Sequence, residues 1–235
     1  EVDRLSKQVL GQAAATDALS GTIEKGLLYE GYKVMPYSWA AETPLSLHET
    51  RLDDAYRERQ DPAITVRFEL IPQGEEDRPT DLLAWTTTPW TLPSNLALAV
   101  GDDIEYRIFE SEGRRVILGA DTIQKLEKEL AGAEEIGSLF GRDLVGRHYR
   151  PLFPFFAETE GAFRVLSAEF VNTEEGTGIV HMAPGFGEDD MAACQAAGIP
   201  VVCPVDDAGC FTAQVPDWEG LQVFEANTPI IRALR

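Results

Sequence analysis

The residues best placed to do chemistry lie in two stretches, AWTTTPWTLPSN from Ala84 to Asn95 and GTGIVHMAPGFGEDD from Gly176 to Asp190. In the first, Thr86, Thr87 and Thr88 follow an apolar run (Leu82, Leu83, Ala84, Trp85), and Pro89 and Pro93 interrupt what comes next. β-Branched threonines suit the end of a strand, and each proline fixes φ and removes an N–H. The stretch therefore reads as a strand ending in a rigid, hydroxyl-lined loop with little freedom to lose when it closes on a ligand. A plainer reading makes the threonines ordinary strand residues and Trp90 a core residue. In the second stretch, Asp190 follows a loop containing Gly185 and Gly187, glycines that let the backbone fold tightly. It falls in the first turn of a helix beginning near Asp189, where the helix dipole favours an ionised carboxylate. Capping is the other use of aspartate at such a place, and Asp189 is the better candidate for it. His181 ends a strand nine residues before Asp190, as a hydrogen-bonded structural residue or as part of a site.

Other chemistries lack their residues. There is no serine in a GxSxG setting, no Cys–His pairing, and neither GTG nor GFG extends to GxGxxG. His48, His148 and His181 include no HExxH-type pair, and Cys194, Cys203 and Cys210 lack CxxC spacing. No metal, no cofactor and free thiols are expected.

Acidic residues outnumber basic ones by 40 to 20, a net charge of −20, which is the opposite of a nucleic-acid-binding footprint. A site that takes only the last nucleotide of an RNA delivered by other domains is compatible with this, because few phosphates need be met. The densest basic run, GRDLVGRHYR, offers Arg142, Arg147 and Arg150 as phosphate contacts or as a solvated loop. No apolar run approaches the length of a membrane span and no secretory signal opens the chain, so a cytoplasmic protein without a membrane partner is expected.

The elements that must position these residues are mostly short strands. The chain of 235 residues reads as an N-terminal helical or junction segment over 1–25, followed by one domain over 26–235. Val2 to Leu19 has a helical flavour, and LLYEGYKVMPYS is strand-like until Pro36. A turn or two of helix fits within His48 to Gln60. Strands are expected over Ala63 to Ile71, into the threonines, over Leu96 to Val100, over Phe163 to Ser167 and over Gly178 to Ala183, with a hairpin over Ile104 to Gly119. A helix capped by Asp121, with Gln124 at the capping-box position and an Ile123, Leu126, Leu130 stripe, is expected to end near Gly132. Another helix is expected over Asp190 to Ala197, IPVVCPV as a buried strand, and a last helix capped by Asn227 with Pro229 in its first turn. That last pattern stops unfinished at Arg235, so a domain taken from a longer chain is expected. Many strands and few helices give an α+β class: a barrel-like mixed β-sheet core with a few peripheral helices.

TTTPWTLPSN and GTGIVHMAPGFGEDD together resemble the two halves of the editing site in the connective-peptide domain inserted into isoleucyl-tRNA synthetases, class I enzymes with valyl and leucyl relatives. The valyl and leucyl versions carry an arginine shortly after the threonines, where this chain has Pro89-Trp90, so the isoleucyl type is the nearer match. YKVMPYS, ETPLS, PVDDAGCF and EGLQVFEAN extend the resemblance over about Gly26 to Arg235. It implies the fold of those editing domains and a proofreading role, the hydrolysis of valine from tRNA(Ile) and of valyl-adenylate. The partners it implies are the acceptor end of that tRNA and the rest of the synthetase, joined through the ribbon before Ser38. In this reading Asp190 binds the α-ammonium and His181 walls the side-chain pocket against isoleucine. Thr86, Thr87 and Thr88 meet the acyl and ribose ends, Trp90 gives an aromatic face and Asn95 a supporting hydrogen bond, and Gly185 is a further substrate-binding position. One methylene separates isoleucine from valine, too little for a single pocket to reject valine stringently, and a second, smaller hydrolytic pocket multiplies the discrimination. HIGH-like and KMSKS-like signatures are missing from this stretch, so amino-acid activation is not expected of it. The alternative is a non-catalytic module that merely holds aminoacyl-adenosine or the acceptor end.

Overall fold

The computed structural model describes residues 31–53, 58–74 and 77–235. The chain divides into two compact units, Glu1–Lys33 and Val34–Arg235, and the second carries both motifs. The helical reading of Val2 to Leu19, the boundary between 1–25 and 26–235, and the start of LLYEGYKVMPYS lie outside the described residues.

Strand β1 (Tyr37–Ser38) pairs antiparallel with β2 (Thr43–Pro44) in a small ribbon. The five-stranded sheet takes β3 (Ile64–Glu69), β4 (Thr80–Thr86), β6 (Glu105–Ser111), β7 (Arg114–Gly119) and β8 (Glu134–Phe140) in the order β3-β4-β7-β6-β8. The three-stranded sheet takes β5 (Ala97–Val100), β9 (Arg164–Ser167) and β10 (Ile179–Met182) in the order β10-β5-β9. Helices α1 (Glu188–Ala196) and α2 (Val223–Ala233) follow. This is the expected mixture of mixed sheets with few helices, although the described sheets stay open and form no closed barrel.

Burial explains the strand sequences. Strand β4 is buried at six of its seven positions, and its middle, Leu82 to Trp85, is an apolar run because both its faces are covered. Leu82 and Ala84 join the main core with Phe68, Leu98 and Tyr106, while Leu83 joins Phe109, Val116, Leu118, Leu126 and Leu130. All four residues of β5 are wholly buried between β10 and β9. The β6–β7 hairpin closes on Glu112 and Gly113, both with positive φ (53° and 77°), the two-residue turn that matches strand twist.

Several expectations are corrected. The helix over Asp121 to Gly132 is instead a 3-10 segment, Ala120–Leu126, followed by turns, and neither Asp121 nor Gln124 caps it. The Thr122 hydroxyl donates to the Gly119 carbonyl at 2.8 Å, and this local bond accompanies the tight start. The apolar stripe nevertheless packs as expected. IPVVCPV forms no strand: Val201 and Val202 are half-buried, Cys203 is exposed, and Val205 makes a single bridge to Phe211. Helix α1 begins at Glu188 after Gly187, so Asp189 is not its cap. Helix α2 begins a turn earlier than expected: Gln222 accepts from the Phe224 N–H, and Asn227 and Pro229 lie inside the helix. Strand β8 was missed because six of its seven residues are exposed and leave no alternation to read.

Strand β4 is anchored at its start by Asp81, a wholly buried carboxylate that accepts from Arg114 Nε (2.6 Å) and Nη2 (2.7 Å) on β7. Replacing Arg114 leaves that carboxylate buried with, among the described residues, only the Arg67 guanidinium beside it, at 3.7 Å. Arg114→Met should lower unfolding stability by about 2 kcal/mol, measured by urea titration; a loss within roughly 0.5 kcal/mol would mean that water reaches Asp81.

Candidate functional site

Strand β4 ends at Thr86, and the chain turns through Thr87 and Thr88 into a 3-10 segment, Pro89–Ser94, before entering β5 in the other sheet. Pro89 at its first position has no N–H to lose there, and the segment is buried at Pro89 and from Thr91 to Ser94. The loop is therefore short, tight and packed, with Thr87 and Thr88 left exposed above it.

Below them runs a chain of hydrogen bonds. Tyr149 Oη donates to Asn95 Oδ1 at 2.7 Å, and Asn95 Nδ2 donates to the Ala97 carbonyl at 2.8 Å and lies 3.4 Å from His181 Nδ1. His181 Nε2 is 2.9 Å from Thr91 Oγ1, whose proton goes to the Thr88 carbonyl at 2.8 Å. Because Thr91 spends its proton on that carbonyl, its oxygen accepts from Nε2–H, and His181 Nδ1 is then the acceptor facing Asn95. Burial pushes the His181 pKa down to about 4, so the ring is neutral at pH 7. Thr88 Oγ1 completes the cluster at 3.2 Å from Thr86 Oγ1 and 3.3 Å from Thr91 Oγ1.

The aspartate motif docks on this cluster through β10. Two residues beyond His181, the Ala183 N–H donates to Asp190 Oδ2 at 2.9 Å, which turns the carboxylate back from the first turn of α1. Burial raises the Asp190 pKa, against the lowering effect of the Ala183 bond, and Asp189 raises it further. The glycines before it serve by being small rather than by adopting positive φ, which neither has. A Cβ on Gly187 would sit 2.7 Å from Asp190 Cγ, and one on Gly185 would sit 2.3 Å from the Val202 carbonyl oxygen. Trp90 meets Phe186 of the same loop edge-on at 4.9 Å between ring centres.

The structure thus gathers Thr86, Thr88, Asn95 and His181 into one bonded cluster, with Thr87 exposed over it, Asp190 joined through Ala183, and Trp90 joined through Phe186. Thr86 and Asn95 are buried, and their bonds run to protein groups. Sequence reasoning missed Thr91, Tyr149 and Asn227, whose Oδ1 accepts from the Trp90 N–H at 3.0 Å. Arg142, Arg147 and Arg150 are each paired, with Asp103, Asp77 and Glu69. Beside the end of β4 opens a cavity of about 480 Å³ lined by Thr65, Trp85, Lys125, Glu129, Glu174 and Gly176 among others. It contains neither His181 nor Asp190; its lining residue Thr177 is four residues from His181, roughly 13 Å along a strand. Among the described residues no group of His, Cys, Asp and Glu could hold a metal ion, and no helix is long and apolar enough to cross a membrane.

The depressed His181 pKa carries a pH dependence. The unfolded chain takes up a proton there near pH 6.5 and the folded chain only near pH 4. The contribution is whole above pH 6.5 and is lost as pH falls to 4, on the order of 3 kcal/mol. Asp190, whose pKa is raised, works in the opposite sense, so the His181 part shows in a comparison. His181→Gln should flatten the fall in unfolding stability between pH 6.5 and 4, measured by urea titration at several pH values. Parallel curves for the two proteins would show that His181 charges in the folded state.

No protein-family model matches the chain. It is 52% identical over 216 residues to the isoleucine–tRNA ligase of Rickettsia canadensis (strain McKiel), covering 90% of this chain and 20% of that protein. It is 51% identical over 216 residues to the enzyme of the same name from Mycobacterium leprae (strain TN), again 90% of this chain and 20% of that one. Among solved structures, GlLeuRS-CP1 superposes with a TM-score of 0.57 at 16% identity, over 74% of this chain and 95% of that one, a likeness of fold. The chain spans about one fifth of the length of the curated relatives it matches. With half its residues shared over nine tenths of its length, the chain belongs with the isoleucine–tRNA ligases as the counterpart of one segment of them, and it folds like a leucyl-tRNA synthetase CP1 domain.

Proposed function

We propose that this chain is a hydrolytic proofreading domain that removes valine from tRNA(Ile), and from valyl-adenylate, by direct water attack. The observation that carries the reading is Asp190: a half-buried carboxylate, held by the N–H of Ala183, two residues beyond the His181 that bonds Thr91 of the threonine loop. A carboxylate whose charged form is penalised by burial gains from a cation brought beside it, and the α-ammonium of an aminoacyl ester is such a cation. In this reading the hydroxyls of the exposed Thr87 and Thr88 serve the acyl and ribose oxygens.

The arrangement favours water as the nucleophile. Both ring nitrogens of His181 are committed to Thr91 and Asn95 and its basicity is low, so it neither activates a threonine nor takes a proton at neutral pH. Burial pushes the Cys194 thiol up to about 12. Water adds to the ester carbonyl, assisted by the vicinal ribose hydroxyl. The acyl carbon–oxygen bond then breaks, and the ribose oxygen leaves with a proton to give free valine and uncharged tRNA. His181 contributes shape, as a fixed wall that a valyl side chain clears and an isoleucyl side chain meets. The net charge of −20 supports delivery of the tRNA by other parts of a synthetase.

The test is release of valine and isoleucine from tRNA(Ile) by this segment within a full-length ligase, beside Asp190→Ala. Selective valine release that falls about 100-fold in the variant is expected. Tight retention of valyl-tRNA without turnover would instead establish a holding module, and an acyl-enzyme caught on trapping would overturn water attack. Gly187→Ala should reproduce the Asp190→Ala defect, chiefly as a raised KM, because its methyl displaces the carboxylate. Activity within twofold of wild type would show that Asp190 has room to spare.

A further inference from the structure

The 3-10 segment Pro89–Ser94 starts without a cap of its own. Thr88 stands at its N-cap position, and threonine is a good capping residue, yet its side chain makes no capping bond. Thr88 Oγ1 faces Thr86 Oγ1 and Thr91 Oγ1 instead. The first N–H of the segment, that of its second residue Trp90, has no partner within a helix of this kind and must find one elsewhere. It finds Asn227, whose Oδ1 accepts from it at 3.0 Å across 137 residues of chain. Asn227 is buried in the middle of α2, and it would be a poor choice there for helix stability alone. The same indole is gripped on two sides, edge-on to Phe186 at 4.9 Å and to Phe224 of α2 at 6.4 Å.

We infer that Asn227 is a positioning residue for the threonine loop: it caps the Pro89–Ser94 segment from α2 and so leaves the Thr88 hydroxyl for the site. Through Trp90 it also fixes the loop against Phe186, four residues before Asp190, so one amide sets the spacing between hydroxyls and carboxylate. The catalytic consequence rests on the proofreading reading above. Asn227 itself touches no substrate.

The experiment compares Asn227→Leu, which keeps the bulk and removes the acceptor, with Asn227→Asp, which keeps an acceptor oxygen. It is carried out in the full-length ligase for kinetics and in this chain, with folding checked by circular dichroism, for spectroscopy. Asn227→Leu should lower kcat for valine release about tenfold or more with KM little changed, and Asn227→Asp should recover most of it. In parallel, the Trp90 amide should lose hydrogen-exchange protection and the Thr87 and Thr88 methyl resonances should move in Asn227→Leu, with both returning in Asn227→Asp. If Asn227→Leu unfolds, Asn227→Ser, shorter by one atom and still polar, takes its place. Unmoved threonine methyls, or a kcat within twofold of wild type when the Trp90 amide has been exposed, would overturn the inference. Should the wild-type enzyme release no valine, the proofreading reading fails separately, and the amide and methyl signals decide whether Asn227 positions the loop.

Discussion

The site depends on a histidine that is kept from ionising. His181 lies in the interior at the end of β10, with one ring nitrogen on Thr91 and the other facing Asn95. Because each neighbour has a single proton arrangement that satisfies it, the order of donors from Tyr149 through Asn95, His181 and Thr91 to the Thr88 carbonyl is fixed along its length. A charged imidazolium would present a second N–H toward the Asn95 amide, which is already a donor, and would break that order. The threonine loop is therefore held by a neutral, directional network, and its outermost member carries the exposed hydroxyl.

Two sheets and one short segment bring the parts together. Strand β4 belongs to the five-stranded sheet and β5 to the three-stranded one, so the loop between them spans the seam where the sheets share a core. Strand β10 pairs with β5, with His181 opposite Leu98 and Met182 opposite Ala97, and this register places the histidine under the loop. A shift of one residue would turn His181 to the other face and bring Met182 under Thr91. The glycines of the following loop then work by absence: Gly185 admits the Val202 carbonyl and Gly187 admits the carboxylate of Asp190.

Much of this was legible in the sequence. The end of a strand at Thr86, the stiff Pro89–Pro93 loop, the strand into Val100 and the helix carrying Asp190 near its start all follow from local chemistry, and the structure has them. What was not legible falls into two kinds. Strand β8 is an exposed edge with no periodic signal, and the segment after Gly119 has the stripe of an α-helix but the hydrogen bonding of a tighter turn. The other kind is long-range. Tyr149 reads as one aromatic among several, and Thr91 as a spacer between prolines, until the fold sets them beside Asn95 and His181. Asn227 was read as a cap, which is its chemistry, but of its own helix; the helix it serves begins at Pro89.

That separation has a bearing on when the site comes into being. A chain emerging from the ribosome releases Pro89–Ser94 long before α2, and through that interval the Trp90 amide has no Asn227 to meet. His181 arrives 90 residues after Thr91, and Asn227 later still, so each contact closes a long loop and bears its entropy. The five-stranded sheet, complete by Phe140, has its strands in hand well before the threonine loop has its final form. Maturation of the loop thus waits for α2, and a nascent chain that has not yet made that helix carries the threonines without their geometry.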